Sequence, residues 1–128
     1  MIIDINDFSV SNFELGAKTD LLDGIHEVGS FSLRVNDGRI EWLSVLLSQF
    51  YSNGPTFNGE IEYQSQVESL TSNTQPEEIS KMFPSHFDHW DDGVEVNYQY
   101  LIDGIEIEFS WHHSTNGLVA NYISMEVT

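Results

Sequence analysis

The chain contains no cysteine among its 128 residues. Disulfide bonds, thiolate metal sites and cysteine-based catalysis are therefore excluded. Basic residues are also scarce, because four Lys and Arg stand against 21 Asp and Glu, which gives a formal net charge of −17. This balance makes nucleic acid a poor partner, since binding to the phosphate backbone depends on clustered Lys and Arg. Anionic membrane surfaces are disfavoured for the same reason.

Long apolar runs are missing too, and no stretch approaches the ~20 residues that a membrane helix needs. The first residues, from Met1 to Asp4, lack the basic segment and apolar core of a secretory signal. We therefore expect a cytoplasmic protein that does not associate with a membrane.

The composition is that of a folded protein, with 40% hydrophobic and 12% aromatic residues. A chain of this length is expected to form a single domain, residues 1–128. Its acidity either maintains solubility or attracts a basic protein partner, because a large field of one sign speeds encounter with its opposite. Both explanations stay open at this point.

The last third of the chain predicts three consecutive strands, at residues 94–100, 105–111 and 118–127. Apolar and polar side chains alternate along them, and Asp-Gly or Asn-Gly turns separate them. Alternation places Trp111 in the core and Glu95, Glu106, Glu108 and His112 on the opposite, solvated face.

The first two thirds predict further strands and two short helices. The strands are residues 8–15, with a bend near Asn12, the hairpin 31–35 and 39–47, and residues 60–70. The helices are residues 19–26 and a segment from Thr74 to Pro84, which begins with a capping box between Thr74 and Glu77. Residues 39–51 also fit a helical stripe, so strand and helix both stay open there. Trp42, in an alternating run, is expected in the core.

These elements predict an α+β fold: an antiparallel sheet of about six or seven strands with two short helices packed on one face. The order of strand, short helix and strands occurs twice, which suggests a duplicated unit at residues 8–70 and 60–127.

Candidate catalytic and metal sites are few. The chain has no Gly-x-Ser-x-Gly motif, no P-loop and no dinucleotide-binding fingerprint, so we expect neither an enzyme nor a bound cofactor. The alternative is a divalent-metal binder or metal-dependent hydrolase that uses His86, Asp88 and His89 as ligands.

A partner-binding surface is the leading candidate site. It combines an aromatic anchor with acids that would steer a basic partner, and its predicted members are Trp90, Asp91, Asp92, Glu95, Glu106, Glu108 and His112. A third alternative is a small-ligand or self-associating module whose sheet edge forms a homodimer.

Several segments together resemble a known class of protein. They are Phe13-Glu-Leu-Gly16 before Leu21-Leu22, the Asn36-Asp-Gly38 turn, Phe57-Asn-Gly-Glu-Ile, Pro76-Glu-Glu-Ile leading to Met-Phe-Pro84, and the closing Ile105-Glu-Ile-Glu-Phe and Asn-Gly-Leu strands. The pattern is similar to small acidic immunity proteins of bacterial polymorphic toxin systems, which, like similar orphan proteins, often travel on mobile elements and integron cassettes. The resemblance implies a cytoplasmic antidote that blocks a toxin by binding, without catalysis. It assigns no binding residue, and Phe83 stands where a Gly before Pro84 is expected.

Overall fold

The computed structural model describes residues 1–83 and 88–128. Within these residues, twelve strands and one helix follow the order β1 (Ile2–Asp4), β2 (Ser9–Val10), β3 (Phe13–Glu14), β4 (Gly24–Val28), β5 (Phe31–Asn36), β6 (Arg39–Leu46), β7 (Gly59–Tyr63), β8 (Gln66–Leu70), α1 (Pro76–Met82), β9 (Asp88–Asp91), β10 (Glu95–Ile102), β11 (Ile105–Ser114) and β12 (Gly117–Val127). The fold is therefore mostly β, and the predicted α+β class with two helices on one sheet is wrong.

The strands form two sheets. The larger has seven antiparallel strands in the order β4-β5-β6-β12-β11-β10-β9, and it contains the three predicted C-terminal strands. The smaller has five strands in the order β3-β2-β1-β7-β8. The predicted single antiparallel sheet is therefore wrong, because the strands divide into two sheets and β1 pairs in parallel with β7.

One hydrophobic core joins both sheets and the helix. Ile3 and Ile61 of the smaller sheet, Ile79 of α1, and Leu43 and Ile107 of the larger sheet all belong to one buried cluster. Just after the helix, the buried ring of Phe83 contacts rings from both sheets, namely Tyr63, Tyr100 and Phe109. The smaller sheet and α1 thus cover one face of the larger sheet, here called its inner face.

The predicted helix at residues 19–26 does not form. This segment is a bend followed by edge strand β4, and Leu22 and Ile25 are 81% and 66% exposed. The helical spacing of its apolar residues therefore does not correspond to a buried helix face. Instead, the Asp23 carboxylate accepts hydrogen bonds from the backbone amides of Asp37 and Gly38, at 3.1 Å each, which fixes the segment beside the β5–β6 turn.

Two predicted strands prove to be hairpins. Residues 8–15 turn back between β2 and β3, and residues 60–70 turn back between β7 and β8. The second turn places Gln64 and Ser65 at φ of 49° and 69°, the left-handed conformation of the tight two-residue turns that suit hairpins.

The ambiguous segment 39–51 contains the strand β6 and no helix. With a single helix in the described residues, the predicted strand–helix–strands duplication is wrong as well, because its first copy has no helix.

The predicted second helix is confirmed, but its cap is displaced by one residue. Gln75 is the N-cap, and its backbone amide donates to the Glu78 carboxylate at 3.1 Å, so the predicted Thr74–Glu77 pair is wrong. Thr74 instead anchors the helix to the larger sheet: its carbonyl accepts a hydrogen bond of 2.7 Å from the buried Trp111 indole.

No helix in the described residues has the length and apolarity that crossing a membrane requires.

Candidate functional site

The outer face of the larger sheet, opposite the core, is the surface on which most predicted partner-binding residues lie. Strand register identifies its members: Ile25, Glu27, Ser32, Arg34, Asn36, Arg39, Trp42, Ser44, Leu46, Asp88, Trp90, Glu95, Asn97, Gln99, Leu101, Glu106, Glu108, Ser110, His112, Ser114, Val119, Tyr122, Ser124 and Glu126. Five of the seven predicted residues belong to this set, namely Trp90, Glu95, Glu106, Glu108 and His112. Trp90 is 39% exposed at the sheet edge.

The other two predicted residues, Asp91 and Asp92, have structural contacts elsewhere. Asp91 pairs with Val96, which faces the core, and its carboxylate contacts His113 Nε2 at 2.8 Å. Asp92 lies in the turn before β10, where it accepts hydrogen bonds from the amides of Val94 and Glu95. Backbone amides lower the pKa of both carboxyls, that of Gly93 for Asp91 and that of Glu95 for Asp92, and His113 lowers the pKa of Asp91 further.

Residues 48–56 form a loop that crosses part of the outer face. The Phe50 ring stacks on His112 with centroids 4.2 Å apart, and the Tyr51 hydroxyl donates to Glu95. Two predicted binding residues, Glu95 and His112, are therefore contacted by this loop. A partner at that end of the sheet would meet Phe50 and Tyr51 together with them.

A β-bulge at Asn121 holds the start of this loop. The register of β11 and β12 shifts there, and the Asn121 carbonyl accepts from the Leu47 and Ser48 amides at 2.7 and 3.3 Å. Its side-chain oxygen also contacts His112 Nδ1. The loop end is held by the Phe57 amide, which donates to the Leu46 carbonyl at 2.7 Å. Both ends of the loop are thus attached to the sheet.

A groove runs between this loop and the outer face. Its floor is a row of paired residues, one from each of the five adjacent strands β4, β5, β6, β12 and β11: Glu27, Ser32, Ser44, Ser124 and Glu108. Because the three central side chains are small, the larger residues on either side stand above them. Two cavities of about 240 and 370 Å³ occupy the groove, and Trp42, Ser44 and Leu46 line both.

Aromatic residues that sequence reasoning missed form the walls of this groove. Trp42, Tyr51 and Tyr122 line the larger cavity together with Glu108. Trp42 was predicted in the core, and the prediction is wrong because a bulge interrupts the β5–β6 register between Val35, paired with Ile40, and Arg34, paired with Trp42. One extra residue in a strand reverses the face of every side chain beyond it.

Glu108 is the most constrained acid in the groove. Its Oε1 accepts hydrogen bonds from Asn97 Nδ2 at 2.8 Å and from Gln99 Nε2 at 3.3 Å. Burial raises the pKa of Tyr122 well above its ordinary value, and the neighbouring Glu108 carboxylate raises it further. Tyr122 therefore keeps its hydroxyl proton to higher pH than an exposed tyrosine does.

The outer face has a strongly negative charge balance. By strand register its Lys and Arg residues are Arg34 and Arg39, and Arg39 lies beside the β5–β6 turn, where its guanidinium donates to the Gly16 carbonyl. Arg34 contacts Glu41 at 2.6 Å and Glu126 at 3.2 Å, and its guanidinium lies 5.7 Å from the centre of the Trp42 ring. Those two carboxylates more than offset its charge, so Glu95, Glu106 and Glu108 face solvent or the groove with no cationic Lys or Arg partner on this face.

The alternative metal site is not assembled in the described part of the chain. Asp88 pairs with Gln99 and lies on the outer face of the larger sheet. His89 pairs with Tyr98, contacts the Tyr98 ring and lies on the opposite face of that sheet. Neighbouring strand residues that point in opposite directions cannot chelate one ion. His86 lies outside the described residues, and no cluster of three or more His, Asp and Glu suited to a metal occurs within them.

No family model, curated protein or solved structure matches this chain.

Proposed function

We propose that this chain is a non-enzymatic protein-binding module that captures a basic protein through the outer face of its larger sheet. The observation that carries the proposal is the placement of Trp90, Glu95, Glu106, Glu108 and His112 on one face that the core does not use. Aromatic anchors with surrounding acids suit a basic partner, because the aromatic rings contribute contact area and the acids accelerate encounter.

The most concrete form of the proposal is a cytoplasmic immunity protein that neutralises a basic toxin. Electrostatic attraction would bring the partner to the outer face, and the sheet and the 48–56 loop would then cover the partner's active site. The resemblance of the sequence to acidic immunity proteins and the net charge of −17 support this form.

A salt-dependent capture experiment tests the proposal. The purified chain is immobilised, exposed to proteins from its native community, and association rates of the captured proteins are measured at 50 and 300 mM salt. Glu106→Lys reverses one charge on the outer face, and Glu68→Lys makes the same change on exposed strand β8 of the smaller sheet. We expect the partner's association rate to fall about tenfold with salt and to fall further for Glu106→Lys alone.

Three results would count against the proposal. Capture of no basic protein at all would remove it. A salt-independent association rate would remove the steering mechanism. Equal effects of Glu106→Lys and Glu68→Lys would mean that the outer face is not the binding surface.

A further inference from the structure

We propose that the groove from Glu27 to Glu108 binds an extended, arginine-containing segment of the basic partner. One arginine side chain would lie against Trp42, Tyr51 and Tyr122, with its guanidinium directed at Glu108. This inference rests on the proposed function, since it names the part of the partner that the outer face recognises.

The groove has the dimensions of an extended peptide. Its floor crosses five adjacent strands, from Glu27 on β4 to Glu108 on β11. Four spacings of about 4.8 Å give roughly 19 Å, which corresponds to about six residues of extended chain. The serine hydroxyls of the floor can bond with the backbone of such a segment, because a hydroxyl both donates and accepts.

The aromatic walls suit a guanidinium group. Arginine is planar and stacks on aromatic faces, whereas the compact lysine ammonium is more strongly hydrated. The protein already makes this contact internally, because the Arg34 guanidinium lies 5.7 Å from the centre of the Trp42 ring. The larger cavity, about 370 Å³, lies beside that same ring and also contacts Tyr51 and Tyr122.

Charge distinguishes an arginine segment from other occupants. Glu27 and Glu108 stand at the two ends of the groove, and both line its cavities. Asn97 and Gln99 fix the orientation of Glu108 by donating to its Oε1. A neutral oligosaccharide could also stack on the aromatic rings, but it would leave both carboxylates without a counter-charge. An anionic ligand would be repelled by them.

Binding of a short synthetic peptide tests the inference. The probe is the acetylated and amidated heptapeptide Arg-Ser-Val-Ser-Val-Ser-Arg, whose terminal arginines lie on the same side of an extended chain and about 20 Å apart, so that both groove ends are within reach. Its control replaces both arginines with citrulline, which keeps the shape and removes the charge. In ¹H–¹⁵N spectra of the full chain, we expect the arginine peptide to shift the Trp42 indole and the Ser44 and Ser124 amides. The citrulline peptide should bind at least about tenfold more weakly.

Two variants locate the binding. Glu108→Gln removes the charge with little change in shape, and Ser44→Tyr fills the groove floor from the outer face without entering the core. Each should weaken the arginine peptide at least about tenfold, whereas Glu68→Gln on the smaller sheet should change its affinity less than about twofold. Far-UV circular dichroism and thermal unfolding verify that each variant is folded.

Several outcomes would overturn the inference. They are the absence of peptide binding at millimolar concentration, equal binding of the citrulline peptide, shifts confined to other surfaces, and groove binding of xylohexaose or cellohexaose without the peptide. If a basic protein is captured equally well by Ser44→Tyr, the proposed function stands and the groove assignment fails. If neither protein nor peptide binds, both fail.

Discussion

Replacing Trp111 with Phe tests how the helix is joined to the larger sheet. Trp111 is 1% exposed, and its indole nitrogen donates to the buried Thr74 carbonyl directly before α1. The substitution removes roughly 40 Å³ of ring, which costs about 1 kcal/mol at ~24 cal/mol per Å³ of cavity. It also leaves a buried carbonyl without its donor, which costs about 1–3 kcal/mol. The free energy of unfolding should therefore fall by about 2–4 kcal/mol.

Urea denaturation followed by far-UV circular dichroism measures this loss without depending on tryptophan fluorescence. With a slope of ~2 kcal/mol per molar urea, the midpoint should move down by about 1–2 M. Trp90→Phe is the matched control, because the same chemical change at an exposed edge position should cost about 0.5 kcal/mol or less. A loss below about 1 kcal/mol for Trp111→Phe, or equal losses for both variants, would refute the indole–carbonyl link.

Two further predictions concern backbone packing and alkaline pH. In Gly59→Ala the new Cβ would lie 2.3 Å from the Met1 carbonyl oxygen, so the free energy of unfolding should fall by about 1–3 kcal/mol. Gly54→Ala is the control, because its nearest contacts are 3.5 Å away and the substitution should be tolerated. Equal losses of stability for the two variants in thermal melts would contradict this prediction. Burial raises the pKa of Tyr100 to about 12, so its neutral form favours folding fully below pH ~10, and that contribution declines as pH rises towards 12. Tyr100→Phe should therefore lose less stability than the wild type between pH 10 and 12 in urea titrations, and parallel losses would exclude this cause.

The C-terminal strands could be predicted because their determinants are local. Alternation and the Asp103-Gly104 and Asn116-Gly117 turns specify β10 to β12, and no bulge lies between Glu106 and Glu108. Their shared face therefore follows from the sequence alone. The β5–β6 hairpin is confirmed for the same reason, with Asp37 and Gly38 both at positive φ.

The errors arose where distant contacts decide the structure. Leu22 and Ile25 have helical spacing, but Asp23 binds the amides of a turn fourteen residues further on and holds the segment as an edge. Alternation from Ile40 predicts Trp42 in the core, but the β5–β6 pairing has a bulge at Glu41 that turns Trp42 to the outer face. No local signal reveals either contact. The acidic run predicts that Asp91 and Asp92 point outward with the other acids, because nothing in the sequence shows that the strand ends at Asp91.

The charge of the candidate site can be predicted from the sequence, whereas its shape cannot. Acidic residues on the outer face follow from composition and alternation. The groove needs Ser32, Ser44 and Ser124 to lie in one row, which depends on the bulge within the β5–β6 hairpin and on the pairing of β6 with β12, a strand far along the chain. Tyr51 reaches that groove from a loop whose position depends on the bulge at Asn121.

The serine row, formed by Ser32, Ser44 and Ser124, contributes to the groove and not to the hydrophobic core. Each serine alternates along its strand with core residues such as Leu33, Leu43 and Ile123, which supply the buried area that stabilises the sheet. Substitutions in the row change what the groove accepts and leave that area intact. The sheet can therefore be treated as a scaffold with an independently editable surface. A library varied only at Ser32, Ser44 and Ser124 should yield folded proteins with altered ligand preference.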